Sequence, residues 1–304
     1  MLTAADYLSQ MQSEMLRLLP TRSKREKDAF AALAVEEQAW RFMNWLARRV
    51  HPHPRQVNVA HGFYDQPTVR ANQREVEVLL TKISKGLDLT PHLSEDVQEG
   101  YCLHPPGRKH GRDFDMLLNE WAIHHLHLST EPGRRGFNRR TKDLLYAIFG
   151  FGVAFVLAVA PHDAWTDRQL IELTVQSWPE QRLFVSLNVL PGRDWTEDEH
   201  RGLRKAGMTI AAVVGGLPWI SGISCGITTA LVSTRTRKDS SRVLRCLRQA
   251  TEHPEHLECQ LMGHAAANGI TWPTRPSVQI RCFKGPDRYC FGFLEETSGA
   301  SLLI

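Results

Sequence analysis

The chain has no run of about 18 apolar residues free of charge, the length a helix needs to cross a bilayer. Its nearest approach, residues 144–161, is interrupted by glycine and proline and reads as a hairpin, so no membrane association is expected. Cysteine is sparse. Cys102, Cys225, Cys246, Cys259, Cys282 and Cys290 form no C-x-x-C pair, which argues against a disulfide framework. Residues 1–19 carry acids and lack a basic start followed by an apolar core. No secretory signal is therefore expected, and a reducing cytoplasm is the expected compartment. Charge of one sign is missing too: Lys+Arg total 37 against 33 Asp+Glu, leaving +4. That bias permits nucleic-acid binding without demanding it. There is no G-x-G-x-x-G, Walker loop, H-E-x-x-H or G-x-S-x-G, and no cofactor is expected.

What is present is an ordinary globular composition. Over 304 residues, 42% are hydrophobic and 23% charged, enough for a packed core and for more than one domain. The first third has helical spacing: Leu8, Met11 and Met15; then Phe30, Leu33, Trp40, Met43, Leu46 and Val50; then Val76, Leu79, Leu80 and Ile83. Pro20, the prolines at 52 and 54, and Gly86 stop these runs. The period then changes. Residues 121–129 alternate, and 144–149 and 153–160 are apolar on both faces around Gly150, Phe151 and Gly152, which predicts a hairpin central in a sheet. Helices are predicted over 113–120, 165–178 and 242–250, and a capping box opens another at Thr196 and Glu199. Strands are predicted over 183–190, 208–214, 227–233, 278–283 and 289–294. The expected class is α+β: a helical N-terminal third, then a central, mostly antiparallel sheet with covering helices, then a C-terminal α+β part. The expected divisions are 1–100, 101–191 and 192–304.

The densest chemical signal is His124, His125 and His127. On a strand alternate side chains share a face, so His125 and His127 point one way, roughly 7 Å apart at the backbone. Two such imidazoles suit one phosphate or one metal; the alternative is a polar stripe on a half-exposed strand. His124 shares its face with Leu126 and Leu128 and is expected to be a hydrogen-bonded core residue. A basic loop follows, with Arg134, Arg135, Arg139, Arg140 and Lys142, whose forks match phosphate oxygens. Arg108 and Lys109, near His104, His110 and Arg112, make a second basic loop. His162 and Asp163 end the predicted hairpin. Gly215 and Gly216 suit a turn better than an anion site, and His51, His53 and His61 suit a helix stop and loop better than a metal.

Arg139 or Arg140, a strand at 144–149, a glycine turn, a strand at 153–160 and then His162 resemble the C-terminal half of RelE/ParE-type toxins, over about 40 residues. The resemblance implies a small α+β fold with helices before an antiparallel sheet. It further implies metal-independent cleavage of mRNA by basic residues and a late histidine or tyrosine, here Arg139, Arg140 and His162.

Three functions follow as expectations. The first is a toxin-like or defence-related ribonuclease. His125 or His127 would be its base, and His162 or the other histidine its acid. Arg139 and Arg140 would clamp the phosphate, with Arg134, Arg135, Lys142, Arg108 and Lys109 holding RNA. The second is a non-enzymatic module binding nucleic acid or protein. The third is a metal-dependent hydrolase built on His125, His127 and His162 or Asp163. RNA and an inhibitory protein are the expected partners.

Overall fold

The computed structural model describes residues 6–103, 114–164, 167–189, 193, 195–223, 234–284 and 289–304. In chain order its helices are α1 (Tyr7–Leu18), α2 (Lys24–Ala31), α3 (Val35–Ala47), α4 (Pro67–Ala71), α5 (Gln73–Lys85), α6 (Met116–Trp121), α7 (Gln169–Ser177), α8 (Glu197–Lys205), α9 (Thr234–Glu252) and α10 (Pro254–Ala267). Its strands are β1 (Gln56–Val59), β2 (His124–His127), β3 (Asp143–Phe149), β4 (Val153–Pro161), β5 (Phe184–Ser186), β6 (Ala212–Val214), β7 (Leu217–Ser221), β8 (Val278–Lys284), β9 (Tyr289–Glu295) and β10 (Ser301–Leu303). The class is α+β, with helices leading and sheets following. Among the described residues no helix is long and apolar enough to cross a membrane.

The chain forms two compact units. The first takes Met1–Leu46, Gly100–Leu103 and Arg237–Ile304; the second takes Ala47–Glu99 and His104–Thr236. In the first, the antiparallel sheet β10-β9-β8 packs Phe291 and Phe293 against Tyr7, Met11 and Phe42. An open strand edge must find partners for its backbone donors. Helix α1 covers the edge of β8: Gln10 Oε1 accepts from Ile280 N at 3.1 Å and Glu14 Oε1 from Cys282 N at 3.2 Å.

In the second unit the main sheet has the order β1-β4-β3-β2. β3 and β4 are central, as their apolar faces require, and both faces are covered. One face packs on α5 residues Val76, Leu79 and Ile83; the other packs on Leu117, Leu170 and Ile171 of α6 and α7. The pairing of β1 with β4 is parallel, the others antiparallel. A small sheet, β5-β7-β6, completes the unit, and its hairpin turns at Gly215 (φ 58°) and Gly216 (φ 76°). Both sit in the left-handed region, the requirement of a two-residue hairpin turn, so this pair makes the turn.

Several boundaries differ from those the sequence predicts. The strand predicted over 121–129 is only His124–His127, because Trp121 ends α6 and Ala122 turns the chain at φ 59°. The helical run around residues 30–50 is two helices, α2 and α3. The strands predicted at 183–190 and 208–214 shrink to three residues each, β5 and β6. The predicted helix at 242–250 is the middle of α9. The strand predicted at 227–233 lies outside the described residues, as do Trp165 and Thr166; the N-cap of α7 is Arg168, and Asp167 before it accepts from Gln169 N at 2.8 Å.

Candidate active site

The second unit holds a cavity of about 270 Å³ lined by His125, His162, Arg140, Asp115, Tyr146 and Ser94, with Arg48, Asp96, Val97, Phe114, Met116 and Leu117 completing the wall. Three elements converge on it. Strand β2 supplies His125, opposite Tyr146 on β3. The end of β4 supplies His162, whose N–H donates to Lys142 O at 3.2 Å and so extends the β3–β4 ladder by one bond. The loop before β3 supplies Arg140, which donates to Ser94 Oγ at 3.2 Å. The rings of His125 and His162 stand edge to face with centroids 5.7 Å apart.

Asp115 carries two jobs. As the N-cap of α6 its Oδ1 accepts from Leu118 N at 3.0 Å, satisfying one of the helix's orphan donors. Its other oxygen, Oδ2, lies 3.8 Å from His125 Nδ1. That nitrogen is buried and makes no hydrogen bond among the described residues. The carboxylate therefore sits beside a ring nitrogen that has no hydrogen-bond partner among the described residues. Tyr146 lies beneath. Its hydroxyl donates to Pro161 O at 2.8 Å, tying β3 to the residue before His162, and burial raises its pKa, so the phenol stays protonated. Burial lowers the pKa of His162, and the nearby His125 and Arg140 push it the same way. At neutral pH His162 is an unprotonated imidazole.

His127 shares a face with His125, as alternation requires, yet it is not in the open cavity. It is 3% exposed, and its Nδ1 accepts from the backbone N–H of Thr141 at 3.1 Å. Burial, followed by the charges of His125, Arg140 and His162, lowers its pKa from 6.5 to about 4. A neutral histidine whose acceptor nitrogen is occupied is a brace: it fixes Thr141, the neighbour of Arg140. His124 is the expected core histidine. Its Nε2 donates to Ala47 O at 3.2 Å, its ring meets Phe149 edge-on, and burial lowers its pKa to about 4.

The basic loop is a built clasp. Gly133 N donates to Phe137 O at 2.7 Å, Phe137 is buried, and Asn138 donates to Ser129 O at 2.7 Å and to Pro91 O, also at 2.7 Å. His92, fully buried, stands behind it: its Nδ1 donates to His127 O at 2.8 Å and its Nε2 accepts from Lys82 at 2.8 Å. This clasp sorts the arginines. Arg140 reaches the cavity, whereas Arg139 pairs with Glu131 at 2.8 Å on the outside. Arg134, Arg135 and Lys142 are on the loop and do not line the cavity. Asp163 is exposed and also lies off it. Arg108, Lys109, His104, His110 and Arg112 lie outside the described residues.

Sequence reasoning missed Asp115, Tyr146 and Ser94. Only Asp115 carried a local signal, as an acid before a short helix. Arg48 also lines the cavity, but its guanidinium donates to the carbonyls of Asp96 and Glu99 and holds that wall together. Behind α6, Glu120 accepts from Arg204 and, at 3.1 Å, from His200, a buried charge cluster stacked on Trp121 that locks α8 to α6.

Among the described residues, His125, His127, His162 and Asp163 do not draw three donor atoms within 4.8 Å; the group that does is His253, Glu255 and His256 on the first unit's surface. A larger cavity of about 470 Å³ beside β4 is lined by Asp167 and Glu172 with no lysine or arginine, which suits no anion. Scanned against protein-family models, curated proteins and solved structures, the chain matches none of them.

Proposed function

We propose that the His125–His162–Arg140 cavity cleaves RNA phosphodiesters without a metal, in the toxin-like manner that the sequence resemblance implies. The observation that carries this reading is the meeting of two imidazoles and one arginine fork in a single open cavity, with a carboxylate 3.8 Å from the ring of one imidazole, His125. That asymmetry divides the labour. Neutral His162 takes the proton of the 2′-hydroxyl. The 2′-oxygen bonds to phosphorus as the bond from phosphorus to the 5′-oxygen breaks. His125, with the Asp115 carboxylate 3.8 Å from its Nδ1, gives a proton to the departing 5′-oxygen. Arg140 binds the non-bridging oxygens, where charge accumulates. The products are a 2′,3′-cyclic phosphate and a 5′-hydroxyl, and the two histidines end with their protons exchanged. Arg134, Arg135 and Lys142 extend the cationic surface along the strand.

The test is cleavage of a labelled RNA by the wild type and by His125→Ala, His162→Ala and Arg140→Gln. Each histidine change is expected to lower the rate by about 10²–10⁴-fold and the arginine change by about 10²-fold. Unchanged cleavage in either histidine variant removes the assignment. Overproduction in a host is expected to arrest growth, and His162→Ala to relieve the arrest.

A further inference from the structure

We infer that the outward face of α9 in the first unit is a binding surface for single-stranded RNA. Its inward face is fixed by Val243, Leu244, Leu247 and Ala250, all buried. At about 100° per residue those four leave one side of the helix free. Arg237, Lys238, Arg242 and Arg245 fall there within an arc of about 140°, and all four are exposed. A rise of about 1.5 Å per residue spreads them over about 12 Å of the axis, the form of a row rather than a point.

Three of the unit's other arginines are paired. Arg17 pairs with Glu14 at 2.9 Å, Arg41 with Glu37 at 2.9 Å and Arg248 with Glu36 at 2.6 Å. Among the described residues, Arg237, Lys238, Arg242 and Arg245 make no side-chain ion pair or hydrogen bond, and the helix's acids, Asp239 and Glu252, pair with none of them. Lys238 and Arg242 stand four apart and Arg242 and Arg245 three apart, spacings at which like charges repel on a helix. A polyanion threaded along the row relieves that repulsion and releases its own counterions, which is the driving force of phosphate-backbone binding. The choice of RNA among polyanions rests on the ribonuclease reading; the surface itself stands on the first unit alone.

The experiment measures anisotropy of a fluorescein-labelled oligouridine with the full chain, in a His125→Ala/His162→Ala background so that nothing is cut. Arg237→Gln/Lys238→Gln/Arg242→Gln/Arg245→Gln is expected to weaken binding at least about tenfold at low salt. The slope of log affinity against log salt should become shallower by about 0.7 for each phosphate that the row no longer neutralises. Arg237→Lys/Arg242→Lys/Arg245→Lys, which keeps the charge, should bind within a few-fold of the parent. Equal affinity and slope in parent and glutamine variant, or no binding by the parent, overturns the inference. The two claims fail separately. Cleavage indifferent to His125 and His162 sinks the cavity while row-dependent binding survives; histidine-dependent cleavage with row-independent binding does the reverse.

Discussion

Asp115 separates charge from structure better than any other residue in the cavity. Aspartate and asparagine are about equally good N-caps, so Asp115→Asn keeps the bond to Leu118 N while removing the negative charge 3.8 Å from His125. The expected result is a folded protein with RNA cleavage down about 10–100-fold. The acid limb of its pH profile should move to lower pH, because Asp115 raises the pKa of His162 against the effect of burial. A variant with an unmoved profile leaves Asp115 as a cap alone. Arg140 acts in the opposite sense on His162, so Arg140→Gln should shift the acid limb to higher pH in whatever activity remains. At this scale the sequence was partly legible. Residue type alone marks His125, His162 and Arg140 as chemistry. It does not separate Arg140 from Arg139, because that sorting depends on Glu131 and Ser94, one across the loop and one far along the chain.

At the scale of elements, the clasp between β2 and the loop before β3 depends on neutral histidines. His127 and His124 have pKa values lowered from 6.5 to about 4, and that of His92 is lowered too, all chiefly by burial. The unfolded chain therefore binds protons more readily than the folded one, and stability must fall as pH falls. The loss begins as pH drops through 6.5, the unfolded value, and is complete only below about 4. Denaturation measured across that window should show the decline. His127→Asn keeps an acceptor for Thr141 N and cannot take up a proton, so its decline should be shallower. A variant with the wild-type slope removes His127 from this account. Most of the helices, though not α10, and the β3–β4 hairpin are legible in sequence because their signals are local: apolar spacing, a capping box, glycine turns. β1 and β10 are not. Each is short and is selected by a partner strand, β4 for β1 and β9 for β10, which no local pattern names. The boundary between α6 and β2 is hidden because alternation continues through Trp121 and Ala122, whose left-handed turn has no glycine to mark it.

At the scale of the whole molecule, the candidate cavity and the α9 row lie on different units. The second unit carries the cavity on a sheet braced by buried histidines and by the Glu120–Arg204 pair. The first joins the two ends of the chain, with Tyr7 and Phe42 packed on Phe291 and Phe293, and carries the row on α9. A formal net charge of +4 conceals that row because acids elsewhere offset it. Cleavage by the 2′-hydroxyl is the claim on which the cavity's reading depends. The most direct measurement incubates the purified chain, in chelator, with an RNA oligomer and with the same oligomer carrying a 2′-deoxy sugar at the scissile nucleotide. In-line attack predicts that the first is cut to a 2′,3′-cyclic phosphate and a 5′-hydroxyl and that the second stays whole at that position. An intact RNA, or cleavage of the deoxy strand at the same bond, contradicts it.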